Sequence, residues 1–330
     1  MSEIAPGTQE WLDQVVEETL EPELRIVDPH HHLWPEGGSL PYGPDALAVD
    51  TNSGHRIDKT VFIECGAAYR TEGDPDFFVV GETAFVAAAA KGGASMISGI
   101  VAKADLRADN LDDVLDAHVE ASGGLFVGIR DALASANHPD VLRIPGRAPK
   151  GLSSDPSFQA GVRRLGERGF TYDSWHYHYQ NQEFLQLARS APETTMVLDH
   201  FGTPLGVGPY ASEREAIFEQ WKLDLAAIAE CENVVLKLGG LAMPDNGFGW
   251  HTAAKPPTSD EFLAQQSRYY LHGIEVFGPE RCMFESNFPV DRFSLSYGVF
   301  WNACKKLTVD FSPDERAAMF ATTAERVYGI

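Results

Sequence analysis

The sequence predicts a (β/α)8 barrel with long loops at the C-terminal ends of its strands, and three observations carry that prediction. Eight short β-rich runs recur along 330 residues, helical patterns separate most of them, and four Gly- and Pro-rich segments each begin where a run ends. The runs are mostly apolar rather than alternating, as strands covered on both faces are, and parallel strands of that kind need crossover helices. An open doubly wound sheet is the rival. It lacks support, because no G-x-G-x-x-G follows the first run and no G-x-x-x-x-G-K-[ST] occurs.

Taken in order, residues 1–23 precede the first run and are expected to form a helical extension packed on the barrel, with 24–330 as a single domain. The runs are 24–28 (LRIVD), 60–65 (TVFIEC), 97–102 (ISGIVA), 126–130 (FVGIR), 170–173 (FTYD), 196–200 (MVLDH), 234–238 (VVLKL) and 282–285 (CMFE). Amphipathic helical patterns cover 77–90, 111–121, 158–168, 213–230 and 260–277. The surplus over a minimal barrel of roughly 250 residues falls in 33–58, 131–156, 201–212 and 242–259, all of which a barrel would gather at its substrate-binding rim.

Charge narrows the partners. The chain holds 26 Lys and Arg against 48 Asp and Glu, a formal charge of −22, which should repel nucleic acid and anionic membrane and leaves a small molecule as the expected partner. The first twenty residues contain no Lys or Arg, unlike a secretory leader, and no apolar stretch approaches the roughly 18 residues of a membrane span. Cys65, Cys231, Cys282 and Cys304 form no C-x-x-C pair. A reducing, cytoplasmic setting is expected. Nothing decides oligomeric state, and a homo-oligomer is open.

In barrel enzymes the reactive groups stand at strand ends. Asp28-Pro29-His30-His31-His32-Leu33-Trp34 follows the first run, Asp173-Ser174-Trp175-His176-Tyr177-His178 the fifth, and the sixth ends Asp199-His200. Six of the eleven histidines therefore lie at strand ends. Alternation along extended backbone puts His30 and His32 on one side, able to converge on one ion, with His31 turned away. His178 and His200 are candidates to complete that site. Arg130, ending the fourth run, can grip a carboxylate with two hydrogen bonds, and Lys237 in the seventh can stabilise an oxyanion; an ion pair within the barrel, with Glu64 or Asp105, is the alternative. Trp34, Trp175 and Tyr177 are expected to wall the pocket.

These residues resemble the amidohydrolase superfamily, in particular its lactonase-like (amidohydrolase 2) branch acting on pyrone carboxylates, muconolactone-type compounds and sugar lactones. The likeness spans nearly the whole chain. It rests on the first-run motif, on Tyr172 to Gln180, on Val197-Leu198-Asp199-His200-Phe201-Gly202 and on Arg281-Cys282-Met283-Phe284-Glu285-Ser286-Asn287-Phe288-Pro289. It implies a distorted (β/α)8 barrel with His30, His32, His178 and His200 as the imidazole set.

The family often ends strand eight with an Asp that activates water, and Asn287 stands there instead. An amide cannot hold a proton at ordinary pH, so Glu285, Asp291 or a clustered His must act as the base, or no water is activated. The resemblance leaves two cofactor states open, one divalent ion (Zn or Mn) on His30, His32, His178 and His200, or a metal-free site. The expected activity is hydrolysis of a carboxylate-bearing lactone or related cyclic ester. A decarboxylase or lyase on the same framework, and a noncatalytic small-molecule binder, are the alternatives.

Overall fold

The computed structural model describes residues 5–330. Eight parallel strands form one sheet in sequential order, β1 (Arg25–His31), β2 (Arg56–Ile63), β3 (Ile97–Ala102), β4 (Phe126–Arg130), β5 (Thr171–Ser174), β6 (Met196–Leu198), β7 (Val234–Leu238) and β8 (Cys282–Phe284). The barrel closes just beyond β8. There the Asn287 N–H donates to His30 O (3.0 Å) and the His32 N–H to Phe288 O (2.8 Å), which sets Asn287 beside the H-x-H pair.

Inward side chains are mostly branched, as a narrow barrel requires: Val27, Val61, Val101, Val197, Val235 and the unbranched Met283 share a cluster with Ala321, Ala324 and Tyr328 of the C-terminal segment, which plugs the N-terminal mouth. Outward strand residues pack on the helices, among them α5 (Pro156–Glu167), α7 (Arg214–Ala229), α8 (Ser259–Phe277) and α9 (Tyr297–Leu307) in our numbering of the helices along the chain. Capping is explicit in α8, where Thr258 and Glu261 exchange side-chain and backbone hydrogen bonds across the first turn.

The sequence prediction needs adjustment at four places. β1 runs on through His31, and β2 starts four residues early because Arg56 pairs with Arg25. The 33–58 segment contains a helix, α2 (Pro44–Thr51). Between residues 5 and 23 the only α-helix is the four-residue α1 (Gln9–Leu12), which buries Trp11; the rest lacks regular structure and is tied down by Lys305 Nζ donating to Leu20 O (2.8 Å) and Glu21 O (2.9 Å). No helix among the described residues is long and apolar enough to cross a membrane.

Candidate active site

Extended backbone through Asp28-Pro29-His30-His31-His32 sends alternate side chains to opposite faces. His31 meets the Thr60 hydroxyl (3.0 Å) in the wall, whereas His30 and His32 enter the barrel mouth with their Nε2 atoms 3.2 Å apart. Their outer nitrogens each face a carbonyl or carboxylate oxygen, with Lys237 Nζ also 3.3 Å from that of His30. His32 Nδ1 lies 2.8 Å from Ile63 O and so must donate, while His30 Nδ1 lies 2.7 Å from Glu285 Oε2. With Nδ1 as the donor in each ring, each Nε2 presents a lone pair. Burial, and then the nearby charge of Arg130, hold His32 well below its ordinary pKa, so no proton from it fills the gap.

His200 arrives by a different device. β6 stops at Leu198, and His200 (φ 53°) and Phe201 (φ 57°) adopt the left-handed conformation, which turns the imidazole inward. Its Nδ1 donates to Glu285 Oε1 at 2.6 Å, leaving Nε2 free on the cavity side. This packing needs Gly239 and Gly240. A Cβ on Gly240 would sit 2.2 Å from His200 Nδ1, and one on Gly239 would sit 2.1 Å from Glu285 O. Glu285 is fully buried; burial alone would raise its pKa, but the facing His200 and His30 outweigh that and hold it down at about 2. Burial is also the main cause that lowers the pKa of His200 and keeps it neutral.

Beneath the imidazoles lies an ionic layer. Lys237 is sealed between Asp173 (2.9 Å) and Asp199 (3.0 Å), and Arg130 pairs through Nε with Glu64 (2.8 Å) while its NH1 faces Asp199 and His30 Nε2, each at 3.5 Å. Four carboxylates, Glu64, Asp173, Asp199 and Glu285, thus face two cations, a deficit of two positive charges. Asp199 Oδ1 and Glu285 Oε2 both lack a well-directed hydrogen bond although buried. Two lone pairs at 3.2 Å, with that deficit beside them, fit a divalent cation: bonds of about 2.1 Å at a near-tetrahedral angle give a similar separation. His30, His200 and Glu285 also offer ligand atoms within 4.8 Å of one another.

Above the imidazoles opens a cavity of about 550 Å³, walled by Trp34 and Trp175 and reached by His32, His200, Arg130 and Asn287. Asn287 (φ 53°) donates its amide N–H to Asp291 Oδ1 at 2.8 Å. Asp291 itself is fully buried, which pushes its pKa well above the carboxylate range, so it is no ready base.

Several sequence-predicted residues stand elsewhere. His178 does not join the other imidazoles: β5 ends at Ser174, and by residue 178 the chain has left the mouth, so His178 Nδ1 accepts the Leu205 N–H (3.2 Å) with its ring against Tyr179 and Tyr210. Its neighbour His176 is consumed by Ser174 (2.9 Å) and Asn181 (3.1 Å). Lys237 lies too deep to meet a substrate. Arg130 borders the cavity but is already engaged by Glu64. Tyr177 lies behind the wall, its hydroxyl accepting the Gly146 N–H (2.7 Å) and donating to Ile144 O (3.2 Å). Sequence reading missed Asp199 as the hub of the ionic layer and the Gly239-Gly240 pair, although two glycines straight after a strand do signal close approach.

The Amidohydrolase family model (Amidohydro_2) matches residues 27–330. The chain belongs to the amidohydrolase family. Among curated relatives, this amidohydrolase is 32% identical over 322 residues to the uncharacterized protein y4mH of Sinorhizobium fredii, covering 93% of this chain and 99% of that one. It is 25% identical over 311 residues to the L-fucono-1,5-lactonase of Burkholderia multivorans, covering 92% and 96%. A solved amidohydrolase from Burkholderia multivorans with bound Zn shares the fold at a TM-score of 0.70 and 23% identity, over 92% of this chain and 99% of that one. The 5-carboxyvanillate decarboxylase of Sphingomonas paucimobilis shares it at 0.53 and 10%, over 93% and 99%.

Proposed function

We propose that this amidohydrolase opens the ester ring of a lactone, with one divalent ion held by the Nε2 atoms of His30 and His32. The observation that carries the reading is the 3.2 Å approach of His30 Nε2 to Nε2 of His32, which itself lines an aromatic-walled cavity. A bound Zn or Mn would supply Lewis acidity toward the ester carbonyl. The curated lactonase relative supports the substrate class.

The proton steps belong to His200. Glu285 fixes its Nδ1–H, so Nε2 is a neutral base facing the cavity, able to take a proton from an attacking water and return it to the ring-opening alkoxide. Glu285, ionised and desolvated, stabilises the imidazolium that forms between those two transfers. Trp34 and Trp175 hold the ring between their faces and exclude bulk water. Asn287, its N–H spent on Asp291, is left to orient water or substrate by hydrogen bonding.

A panel of sugar-acid and unsaturated lactones, followed by proton release in weakly buffered indicator with and without added Zn, tests this. Ring opening abolished by His200→Ala is the expected result. A second reading, decarboxylation, is favoured by one observation, the amide of Asn287 at the position where a water-activating carboxylate would stand. Carbon dioxide release from aromatic carboxylates, without turnover of any lactone, would replace the first reading with the second.

A further inference from the structure

Three charged side chains reach the cavity: Glu64, Arg130 and Arg143. The first two neutralise each other through the 2.8 Å ion pair. Among the described residues, no carboxylate lies in ion-pair range of the Arg143 guanidinium, which instead rests on the face of Phe293, 4.1 Å from the ring centroid. The cavity wall therefore carries one uncompensated positive charge in a protein whose formal charge is −22. A chain with such an acidic surface repels anions at long range, so a lone cation at the cavity calls for a specific partner.

The loop that carries Arg143 is held in place. Both oxygens of the buried Asp245 carboxylate are taken by backbone donors, Oδ1 by the Arg143 N–H (2.7 Å) and Oδ2 by the Ile144 N–H (2.9 Å). Tyr177 grips the next turn through Gly146 and Ile144. Asp245 thus fixes the backbone of Arg143 while leaving its guanidinium unpaired. Phe293 supports the flat face of the guanidinium, a seat from which its N–H edge can meet a carboxylate two-pronged. Sequence reasoning gave this duty to Arg130, but its Nε and NH2 are engaged by Glu64 and its NH1 faces Asp199 and His30 rather than the cavity.

We propose that Arg143 binds the anionic group of the substrate, so that the site selects lactones bearing a carboxylate over neutral ones. The inference rests on the lactone reading above, and its test separates the two. Each variant, Arg143→Gln and Arg143→Lys, would be assayed on a carboxylated lactone and on its primary amide, and titrated calorimetrically with the ring-opened hydroxy diacid. Arg143 is exposed and serves no packing role beyond Phe293, so unchanged melting temperatures are expected. The acid-to-amide ratio of kcat/KM should fall about 30-fold in Arg143→Gln, mostly through KM, and less in Arg143→Lys, which keeps charge but loses the fork. Diacid affinity should fall in parallel. An unaltered ratio, or a wild type that prefers the amide, overturns the proposal. If no lactone is opened but Arg143→Gln still loses diacid affinity, the anion assignment stands and the lactonase reading fails; unaltered diacid affinity removes the anion assignment itself.

Discussion

Glu285→Gln is the perturbation that the geometry predicts most sharply. In the native site the carboxylate meets two imidazoles at once, accepting from His200 Nδ1 at 2.6 Å and lying 2.7 Å from His30 Nδ1, with no solvent to stand in for either. A glutamine amide offers one acceptor oxygen and one NH2. Its oxygen can serve one imidazole, but its NH2 then meets the other donor head-on. That imidazole must move its proton to Nε2, which destroys the lone pair aimed at the site, or leave a buried N–H unpaired. A lost charge-assisted hydrogen bond costs about 1.5–3 kcal/mol and an orphaned buried donor about 1–3 kcal/mol, so a loss of about 3 kcal/mol in unfolding free energy is expected. Changes that disturb the orientation of a metal-binding His typically weaken the metal 10- to 100-fold. Urea unfolding and chelator competition for Zn measure the two effects, and nitrogen chemical shifts of the imidazoles report the tautomers. Glu285→Gln with native stability, native Zn affinity and unshifted imidazole nitrogens would refute the reasoning.

His178→Ala should keep kcat/KM within about threefold of wild type, because its ring packs on Tyr179 and Tyr210 away from the cavity; a hundredfold loss would restore it to the imidazole set. Glu82 is buried, which, with the nearby charge of Glu64, raises its pKa to about 8, so between pH 4.5 and 8 the folded chain holds a proton that the unfolded chain releases. Stability should therefore fall as pH rises through that window, with a slope contribution of up to about 1.4 kcal/mol per pH unit. Glu82→Gln keeps an acceptor for the Cys65 and Ala67 N–H groups and should flatten the slope; an identical pH profile in the variant would contradict this.

The parts of the fold that were legible in the sequence are those where burial dictates composition. β3, β4 and β7 begin and end where their apolar runs do, since both faces are covered. β2 was read short because Arg56 to Lys59 lie at its less buried end, where polar residues are tolerated. In the site, H-x-H was legible because alternation holds within extended backbone, as it does through His31. His178 was not, since alternation says nothing once the chain has left the strand. Arg130 and Lys237 were correctly placed on their strands, but depth along the barrel axis, which decides whether a cation meets substrate or a buried carboxylate, leaves no mark in a single sequence. Nor does the left-handed turn at His200, where sequence shows only the glycines that make room for it.

The central claim, that His30 and His32 present paired lone pairs to a divalent ion, is tested most directly by elemental analysis of protein purified without added metal, with X-ray absorption at the metal edge. The account predicts close to one Zn or Mn per chain, with imidazole nitrogens at about 2.1 Å, and little or none in the double variant His30→Ala/His32→Ala. A wild type that stays metal-free after incubation with equimolar Zn, or a double variant that holds as much ion as wild type, would contradict it.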